Sequence, residues 1–156
     1  MVSLRMVTPT GRHLRSIADR FRPEEAVECM ASWNEEPLVA LTRSWLFSAE
    51  SAVCIDGDDL PLCIWGINDE VYPDDWREFW MLGTVDILTH KIAFLRTCRA
   101  WLRSIRQQYP RLRAHIDPRY ELSLKWARWL GCEILAPAPH GVNGAPFCEV
   151  RLWAAQ

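Results

Sequence analysis

Four arginines in the C-terminal half recur at three- and four-residue intervals, the spacing of side chains on one helix face. Guanidinium groups arranged in this way could bind phosphate groups or an acidic surface of a partner protein, in a salt-dependent manner. The alternative is the solvated face of a helix whose other face is buried. The candidate partner-binding residues on this face are Arg96, Arg99, Arg103 and Arg106.

An acidic and aromatic segment at 69–76 is a second candidate docking surface. It reads Asp-Glu-Val-Tyr-Pro-Asp-Asp-Trp and ends at Trp76. Tryptophan is enriched at protein interfaces, so Trp76 is a candidate partner contact. The alternative is a polar excursion that Trp76 anchors to the rest of the protein. The Pro/Gly-rich stretch 136–146 is a further long segment that either carries function or only joins two strands.

The six cysteines and four histidines are spread along the chain without the short spacings of a metal site. We therefore expect no bound metal, and we expect reduced, mostly buried cysteines. Cys54 and Cys63 flank a turn at 56–59. A hairpin centred on Asp58 and Asp59 would place the two cysteines opposite each other. We predict that they are cross-strand neighbours with free thiols.

Composition predicts an ordinary globular protein with a single domain over 1–156. Of 156 residues, 49% are hydrophobic and 24% are charged, and the formal net charge is −2. These values exclude a disordered chain and argue against nucleic-acid binding by bulk charge, although a local patch is compatible with them. No apolar run approaches the roughly 20 residues of a membrane span. The first residues also lack the apolar region of a signal peptide, so we expect neither.

Hydrophobic periodicity and turn residues predict the helices and strands that must position these candidates. Thr10 is the predicted N-cap of the first helix, and Trp101, Trp126 and Trp129 fall on predicted buried helix positions. Strands are predicted at 3–8, 51–55, 60–67, 79–85, 112–116, 132–135 and 147–153. Helices are predicted at 11–21, from 23 onward, and at 34–49, 88–109 and 120–130, and the acidic stretch 68–78 is predicted to be a loop.

The order of these elements resembles the fold of the Gcn5-related N-acetyltransferase (GNAT) family. The most specific part is a strand ending at Asp117 and a helix that ends with Trp129-Leu130-Gly131-Cys132-Glu133. This part is similar to the strand–helix–Leu-Gly-Phe segment of that family. The resemblance implies an α/β fold with a mixed, mostly antiparallel sheet and helices on both faces.

Four short runs resemble a GNAT-like family encoded by tailed bacteriophages, which includes the small internal virion protein of short-tailed phages. The resemblance implies a virion or assembly protein, located in the phage particle or in the cytoplasm of the infected host. The implied partners are other phage structural proteins, with a homo-oligomer as a further option. The runs are Trp-Met-Leu-Gly-Thr at 80–84, Tyr-Pro-Arg-Leu at 109–112, Lys-Trp-Ala-Arg-Trp-Leu-Gly-Cys at 125–132 and Gly-Ala-Pro-Phe at 144–147.

The GNAT resemblance also implies an acetyl-CoA site, which this sequence matches poorly. In the family a Gly-rich turn between the fourth strand and the long helix holds the cofactor diphosphate through backbone N–H groups. The corresponding segment here, Gly83-Thr84-Val85-Asp86-Ile87-Leu88-Thr89-His90-Lys91, has one glycine. Its Asp86 would place a carboxylate near the diphosphate. If acetyl-CoA binds, the candidate contacts are Thr84, Val85 and Lys91.

The acid and base of the family's reaction are also displaced or missing. The tyrosine that protonates the departing thiolate in the family falls at Ala127 here. The asparagine that the family often has earlier on that helix falls at Tyr120. Tyr120 is a possible substitute for the missing acid, but it is poorly placed, about two helical turns from position 127. Glu78 and Asp86 flank the fourth strand as candidate bases. The favoured interpretation of each is not catalytic, because Glu78 belongs to the predicted acidic loop and Asp86 is placed to cap the long helix.

These departures favour a binding function over catalysis, because the same fold can serve either purpose. We expect a phage virion- or assembly-associated binding scaffold with a degenerate acetyl-CoA site and no cofactor. The alternative is an acetyl-CoA-dependent N-acetyltransferase of unknown substrate. Titration with acetyl-CoA or CoA would separate the two hypotheses.

Overall fold

The structure is a computed structural model that describes residues 3–153. Within that range, two 3₁₀-helices, Pro73–Asp75 and Val85–His90, precede the fourth strand and the fourth α-helix. The α-helices are α1 Gly11–Asp19, α2 Pro23–Trp33, α3 Pro37–Leu46, α4 Lys91–Ile105 and α5 Glu121–Trp129. The strands are β1 Arg5–Val7, β2 Ser48–Ile55, β3 Pro61–Val71, β4 Arg77–Gly83, β5 Arg111–Ile116, β6 Glu133–Ile134, β7 Ala138–Pro139 and β8 Pro146–Trp153.

The first three helices begin and end at local sequence signals. Thr10 Oγ1 accepts a hydrogen bond from the His13 backbone N–H over 3.3 Å, which confirms Thr10 as the N-cap of α1. Helices α2 and α3 each begin with a proline, Pro23 and Pro37, where the missing N–H has no helical partner in any case. Helix α2 ends at Asn34, whose φ of 55° is left-handed and turns the chain toward α3.

The strands form one sheet in the order β1-β2-β3-β4-β5-β8-β6, with β7 beside β8. The pairs are antiparallel except for β4 and β5, which run parallel. This parallel pair is joined at only two positions, Arg77 with Leu112 and Glu78 with Arg113. Beyond these positions β4 and β5 no longer pair with each other, although β4 still pairs with β3 and β5 with β8. The sheet therefore opens into a V between β4 and β5.

Helices cover both faces of the sheet, which confirms the predicted α/β fold class. On one face, α1 and α3 pack Leu14, Ile17 and Leu41 against β2 and β3. On the other face, α4 and α5 pack Phe94 and Trp126 against residues of the same two strands. Burial of apolar side chains on both faces stabilises the fold and fixes the positions of the helices around the V.

The hairpin of β2 and β3 places Cys54 opposite Cys63, as predicted. Asp56 Oδ1 accepts hydrogen bonds from the backbone N–H groups of Asp58 and Leu60, each over 2.9 Å. This side chain therefore closes the turn. Asp59 has a left-handed φ of 62°, a conformation that aspartate tolerates in turns.

Two predictions in the middle of the chain differ from the structure. The long helix predicted at 88–109 is a 3₁₀-helix followed by α4, and α4 ends at Ile105. The predicted loop at 68–78 is shorter, because β3 continues to Val71 and β4 begins at Arg77. The acidic residues of this segment thus lie at the end of a long hairpin instead of in an extended loop.

A third prediction is wrong at its C-terminal end. The helix predicted at 34–49 ends at Leu46. From Ser48 onward the chain pairs with β3 as strand β2, and the sheet hydrogen bonds outweigh the local helical pattern.

Two structural absences bear on function. Among residues 3–153, no helix is both long enough and apolar enough to cross a membrane. In the same part of the chain, no three His, Cys, Asp or Glu side chains lie close enough together to hold a metal ion.

Candidate functional site

The V between β4 and β5 encloses a cavity of about 490 Å³. Toward α4 and α5 its walls are aromatic and apolar, with Phe94 and Trp126 among them. Helix α2 contributes the carboxylates of Glu25 and Glu28 to the walls, and β4 contributes that of Glu78. A concave space of this size with apolar walls and a few polar groups is typical of small-molecule sites. It is therefore the candidate functional site.

Two carboxylates of α2 bridge the open ends of β4 and β5. The backbone N–H of Gly83, at the end of β4, donates to Glu25 Oε1 over 3.2 Å. The backbone N–H of Asp117, directly after β5, donates to Glu28 Oε1 over 2.7 Å. Because the two glutamates are one helical turn apart, a single helix supplies an acceptor to each strand. Helix α2 therefore lies across the V.

Arg22 completes this contact between α2 and β4. Its backbone N–H donates to the Gly83 carbonyl over 3.2 Å, and its Nη2 donates to Glu25 Oε1 over 2.8 Å. Arg22 and Glu25 are only 3% and 2% exposed, so this ion pair is buried. Burial raises the pKa of the Glu25 carboxyl, against the effect of Arg22. Burial is also the main reason that the pKa of Glu28 is raised to about 8.

The backbone after β4, which would have to hold a diphosphate, is hydrogen-bonded within the chain. The backbone N–H and the hydroxyl of Thr84 both donate to the Leu62 carbonyl over 2.9 Å. The N–H of Val85 donates to the Arg20 carbonyl over 3.1 Å, and the Arg20 side chain forms an ion pair with Asp86. The N–H groups of Thr84 and Val85 are thus engaged within the chain and the Asp86 carboxylate lies beside them, an arrangement that is unfavourable for a diphosphate at these two residues.

The candidate cofactor contacts are not brought to the cavity. Thr84 is fully buried and Val85 is 50% exposed, and Lys91 is exposed at the start of α4. None of these three residues is among the described residues that line the cavity. Gly83 serves packing, because a Cβ atom there would lie 2.4 Å from Ile87 Cδ1. The cofactor role of Thr84, Val85 and Lys91 stays a prediction.

Glu78 lies in β4 and lines the cavity, so its interpretation as part of a solvated loop is wrong. Its Oε1 is 3.3 Å from His115 Nδ1 and 3.2 Å from Arg113 Nε, both on β5. The His140 ring stacks on His115 with 3.7 Å between ring centroids. Burial, with a smaller contribution from His115, lowers the pKa of His140. A carboxylate beside an imidazole at a cavity wall is able to accept a proton.

The position of the family's general acid is an alanine that lines the cavity, Ala127. Tyr120 is buried, with 6% exposure, and it is not among the described residues that line the cavity. Burial raises the pKa of its hydroxyl above the ordinary tyrosine value. The described residues of the cavity therefore include a candidate base but no tyrosine at the position expected for the acid.

The four arginines of α4 do not form one uniform solvated face. Arg96 and Arg103 are exposed, whereas Arg106 is half-buried. Arg99 donates from Nη2 to the Trp129 carbonyl over 2.9 Å, and its guanidinium lies 3.6 Å from the centroid of the Trp129 ring. Trp129 is 41% exposed, so its predicted burial is wrong. Partner binding by the four arginines stays a prediction.

The segment around Trp76 is held against the sheet by arginines. The Arg151 guanidinium lies 5.5 Å from the centroid of the half-buried Trp76 ring. The Arg113 guanidinium lies 3.9 Å from the centroid of the Tyr72 ring. These contacts favour an anchored polar excursion, and a role for Trp76 in partner binding stays a prediction.

The sequence-based predictions did not include the site residues at the start of α2, which are its N-cap Arg22 and the glutamates Glu25 and Glu28. A signal was present, because Glu25 and Glu28 share a helix face with the fully buried Cys29. Carboxylates on the buried face of an amphipathic helix need donors inside the protein. This pattern could have identified α2 as part of the site, although not the strands that supply the donors.

Comparison with known proteins identifies the fold. No protein-family model matches the sequence, and the curated proteins give no significant match. Solved structures do match, among them an acetyltransferase of the GNAT family from Bacillus anthracis, with 11% identity, a TM-score of 0.67, and coverage of 96% of this chain and 92% of that one. A GCN5-related N-acetyltransferase from Kribbella flavida gives 13% identity, a TM-score of 0.66, and coverage of 98% of both chains.

A third match is a chimera of the spermidine N-acetyltransferase SpeG from Vibrio cholerae and hSSAT. It has 11% identity to this chain and a TM-score of 0.64, and the match covers 97% of this chain and 95% of that one. Identities this low do not carry an activity from one protein to another. Together with the splayed β4–β5 pair and the helices on both faces, these likenesses show that the chain has the GNAT fold.

Proposed function

We propose that this chain is a GNAT-fold binding protein whose cavity takes a ligand other than acetyl-CoA. The observation that carries the proposal is the set of hydrogen bonds that closes the end of β4. Gly83, Thr84 and Val85 give their backbone N–H groups to Glu25, Leu62 and Arg20. A diphosphate would have to break these bonds and approach the Asp86 carboxylate, and both steps are unfavourable.

The proposal includes the finer expectation of a role in a tailed-phage particle or in its assembly. This part rests on the sequence resemblance alone. It names other phage structural proteins as partners and the virion or the infected cytoplasm as the location. Exposed Arg103 on α4 is available to such a partner, whereas Arg99 is already engaged by Trp129.

Calorimetric titration with acetyl-CoA and with CoA tests the proposal. We expect no binding at a ligand concentration of about 1 mM, and a Kd in the micromolar range would contradict the proposal. The variant Asp86→Asn is the matched control, because it removes the carboxylate but leaves the backbone hydrogen bonds. We expect this variant to remain without binding, because the N–H groups are still engaged.

A second candidate function is N-acetyl transfer, and the Glu78–His115 contact favours it. Glu78 lines the cavity and lies 3.3 Å from His115 Nδ1, so it could take a proton from an amine. This function would be supported over the first if the chain transfers an acetyl group to an amine and if Glu78→Gln loses this activity. Glu70→Gln should retain the activity. Glu70 is an exposed carboxylate near the cavity and serves as the matched control.

A further inference from the structure

Helices α2 and α5 begin close together beside the cavity. Their N-cap residues are Arg22 and Tyr120, and neither helix has a side-chain hydrogen bond at its N-cap. The Arg22 Cζ atom is 5.0 Å from the centroid of the Tyr120 ring and 5.4 Å from that of the Trp126 ring. The positive ends of two helix dipoles and one guanidinium therefore occupy the same small region, which favours an anion there.

Arg22 and Trp126 carry three buried N–H donor atoms without a hydrogen-bond partner among the described residues, which are Arg22 Nε and Nη1 and Trp126 Nε1. The buried hydroxyl of Tyr120 lies beside Arg22 and has the Ser123 side chain as its neighbour. Arg22, Tyr120 and Trp126 are 3%, 6% and 8% exposed. The aromatic ring faces stabilise the guanidinium charge, but they supply no oxygen to these N–H groups. Unsatisfied buried donors at this density indicate an acceptor-bearing ligand.

The local charge limits how much negative charge the ligand can bring. Arg22 already donates from Nη2 to Glu25 over 2.8 Å, so its charge is shared. The other carboxylates near the two helix starts belong to Glu24, Asp117 and Glu121, and Glu28, with a pKa of about 8, adds its charge only at higher pH. A dianion would face repulsion from these groups, whereas a carboxylate brings one charge and two oxygens with about four acceptor positions.

Trp126 connects this donor cluster to the cavity, because it also lines the cavity wall. The neighbouring wall residues Phe94 and Ala127 are apolar. We infer that the Arg22–Tyr120–Trp126 cluster binds the carboxylate of an organic acid whose apolar body occupies the cavity between β4 and β5. The inference rests on the proposed function in that the cavity takes a ligand other than acetyl-CoA.

Calorimetric titration of the full chain with three probes tests this inference. Octanoate has both the carboxylate and an apolar body, octan-1-ol lacks the carboxylate, and acetate lacks the body. We expect octanoate to bind about tenfold or more tightly than either of the others, because only octanoate satisfies both parts of the site. Equal affinity for octanoate and octan-1-ol, or no binding of octanoate at about 10 mM, would overturn the inference.

The variant Tyr120→Phe removes the hydroxyl of the cluster and leaves the ring in place. We expect it to raise the Kd for octanoate about fivefold or more, to leave octan-1-ol binding unchanged and to leave the Tm no lower. Tyr72→Phe is the matched control, because Tyr72 lines the cavity away from the cluster and its hydroxyl bonds to Glu70. An unchanged octanoate Kd in Tyr120→Phe would overturn the inference.

The variant Trp126→Phe tests the second donor, and Phe94→Leu is its control. Phe94→Leu changes the cavity wall without removing a donor, so we expect it to weaken octanoate and octan-1-ol alike. We expect Trp126→Phe to weaken octanoate more than octan-1-ol, and equal weakening would count against the inference. Binding of acetyl-CoA would refute the proposed function, whereas absence of octanoate binding alone would refute only this inference.

Discussion

The backbone N–H of Gly83 donates to Glu25 Oε1 over 3.2 Å, so a side chain of α2 closes the end of β4. The same oxygen accepts from Arg22 Nη2 over 2.8 Å. One buried carboxylate thus joins the helix, the strand and a guanidinium. This contact holds α2 across the V. It also engages the backbone N–H of Gly83, so a ligand cannot accept a hydrogen bond from that group.

Replacement of Glu25 by alanine should be strongly destabilising. The substitution leaves Arg22 buried without its ion-pair partner and leaves the Gly83 N–H without an acceptor. We expect a loss of about 3–5 kcal/mol in the free energy of unfolding, measured by urea denaturation. Glu24→Ala, at an exposed position one residue away, should change it by less than about 0.5 kcal/mol. A loss below about 1 kcal/mol in Glu25→Ala would contradict the closed contact.

Trp126 is buried on α5, as predicted, whereas Leu130, the residue directly after α5, is only half-buried. Replacement of Trp126 by alanine should reduce the free energy of unfolding by about 3–5 kcal/mol through cavity formation. Trp129→Ala is the control, because Trp129 is 41% exposed and contacts the Arg99 guanidinium. We expect that change to cost about 1 kcal/mol. Equal losses in the two variants would show that α5 is rotated from its described position.

Glu28 should make the stability of the protein depend on pH. Its pKa is about 8 in the folded protein, compared with an ordinary value of 4.5, so the folded state binds more protons between these values. Stability should therefore fall as pH rises from about 4.5 to about 8. Glu28→Gln removes this titration and retains an acceptor for Asp117.

The comparison of unfolding free energies at about pH 5 and about pH 8 checks this expectation. The free energy of unfolding of Glu28→Gln minus that of the unmodified chain should be more positive at about pH 8 than at about pH 5. Glu24→Gln, at an exposed position, should show no such difference. A pH-independent effect of Glu28→Gln would show that Glu28 is ionised in the folded protein.

Cys54 and Cys63 are neighbours across the β2–β3 hairpin and are free thiols in the structure. Burial raises the pKa of Cys63 well above the ordinary thiol value, so little of the reactive thiolate forms. Thiol counting on the denatured, non-reduced protein should find all six cysteines free. A count of four would indicate a disulfide, with this pair as the first to examine.

Local signals in the sequence predicted much of the fold. The apolar runs on either side of the turn at 56–59 predicted the hairpin and its Cys54–Cys63 register, because strand pairing across a short turn is set locally. Pro23 and Pro37 marked the starts of α2 and α3, and Gly131 marked the end of α5, whereas Pro110 lies beyond Ile105, where α4 ends. The resemblance to the GNAT family then implied the mixed, mostly antiparallel sheet with helices on both faces, which local patterns do not determine.

The site depended on long-range contacts that no local pattern contains. Glu25 falls in the first turn of the helix predicted from 23 onward, and its partner Gly83 is too distant in the sequence for a local pattern to connect the two. Glu78 was assigned to a loop because the acidic residues near it mask the start of β4. Trp129 was assigned to the core by its position beside Trp126, but the Arg99 contact keeps its ring at the surface.

The account depends most directly on whether the N–H groups of Gly83, Thr84 and Val85 are engaged within the chain. Amide hydrogen exchange and amide chemical shifts of these three residues, measured by NMR with and without acetyl-CoA at about 1 mM, test this. The account predicts slow exchange at all three amides and no change in shift when acetyl-CoA is added. Fast exchange at these amides, or shifts that saturate at micromolar acetyl-CoA, would contradict it.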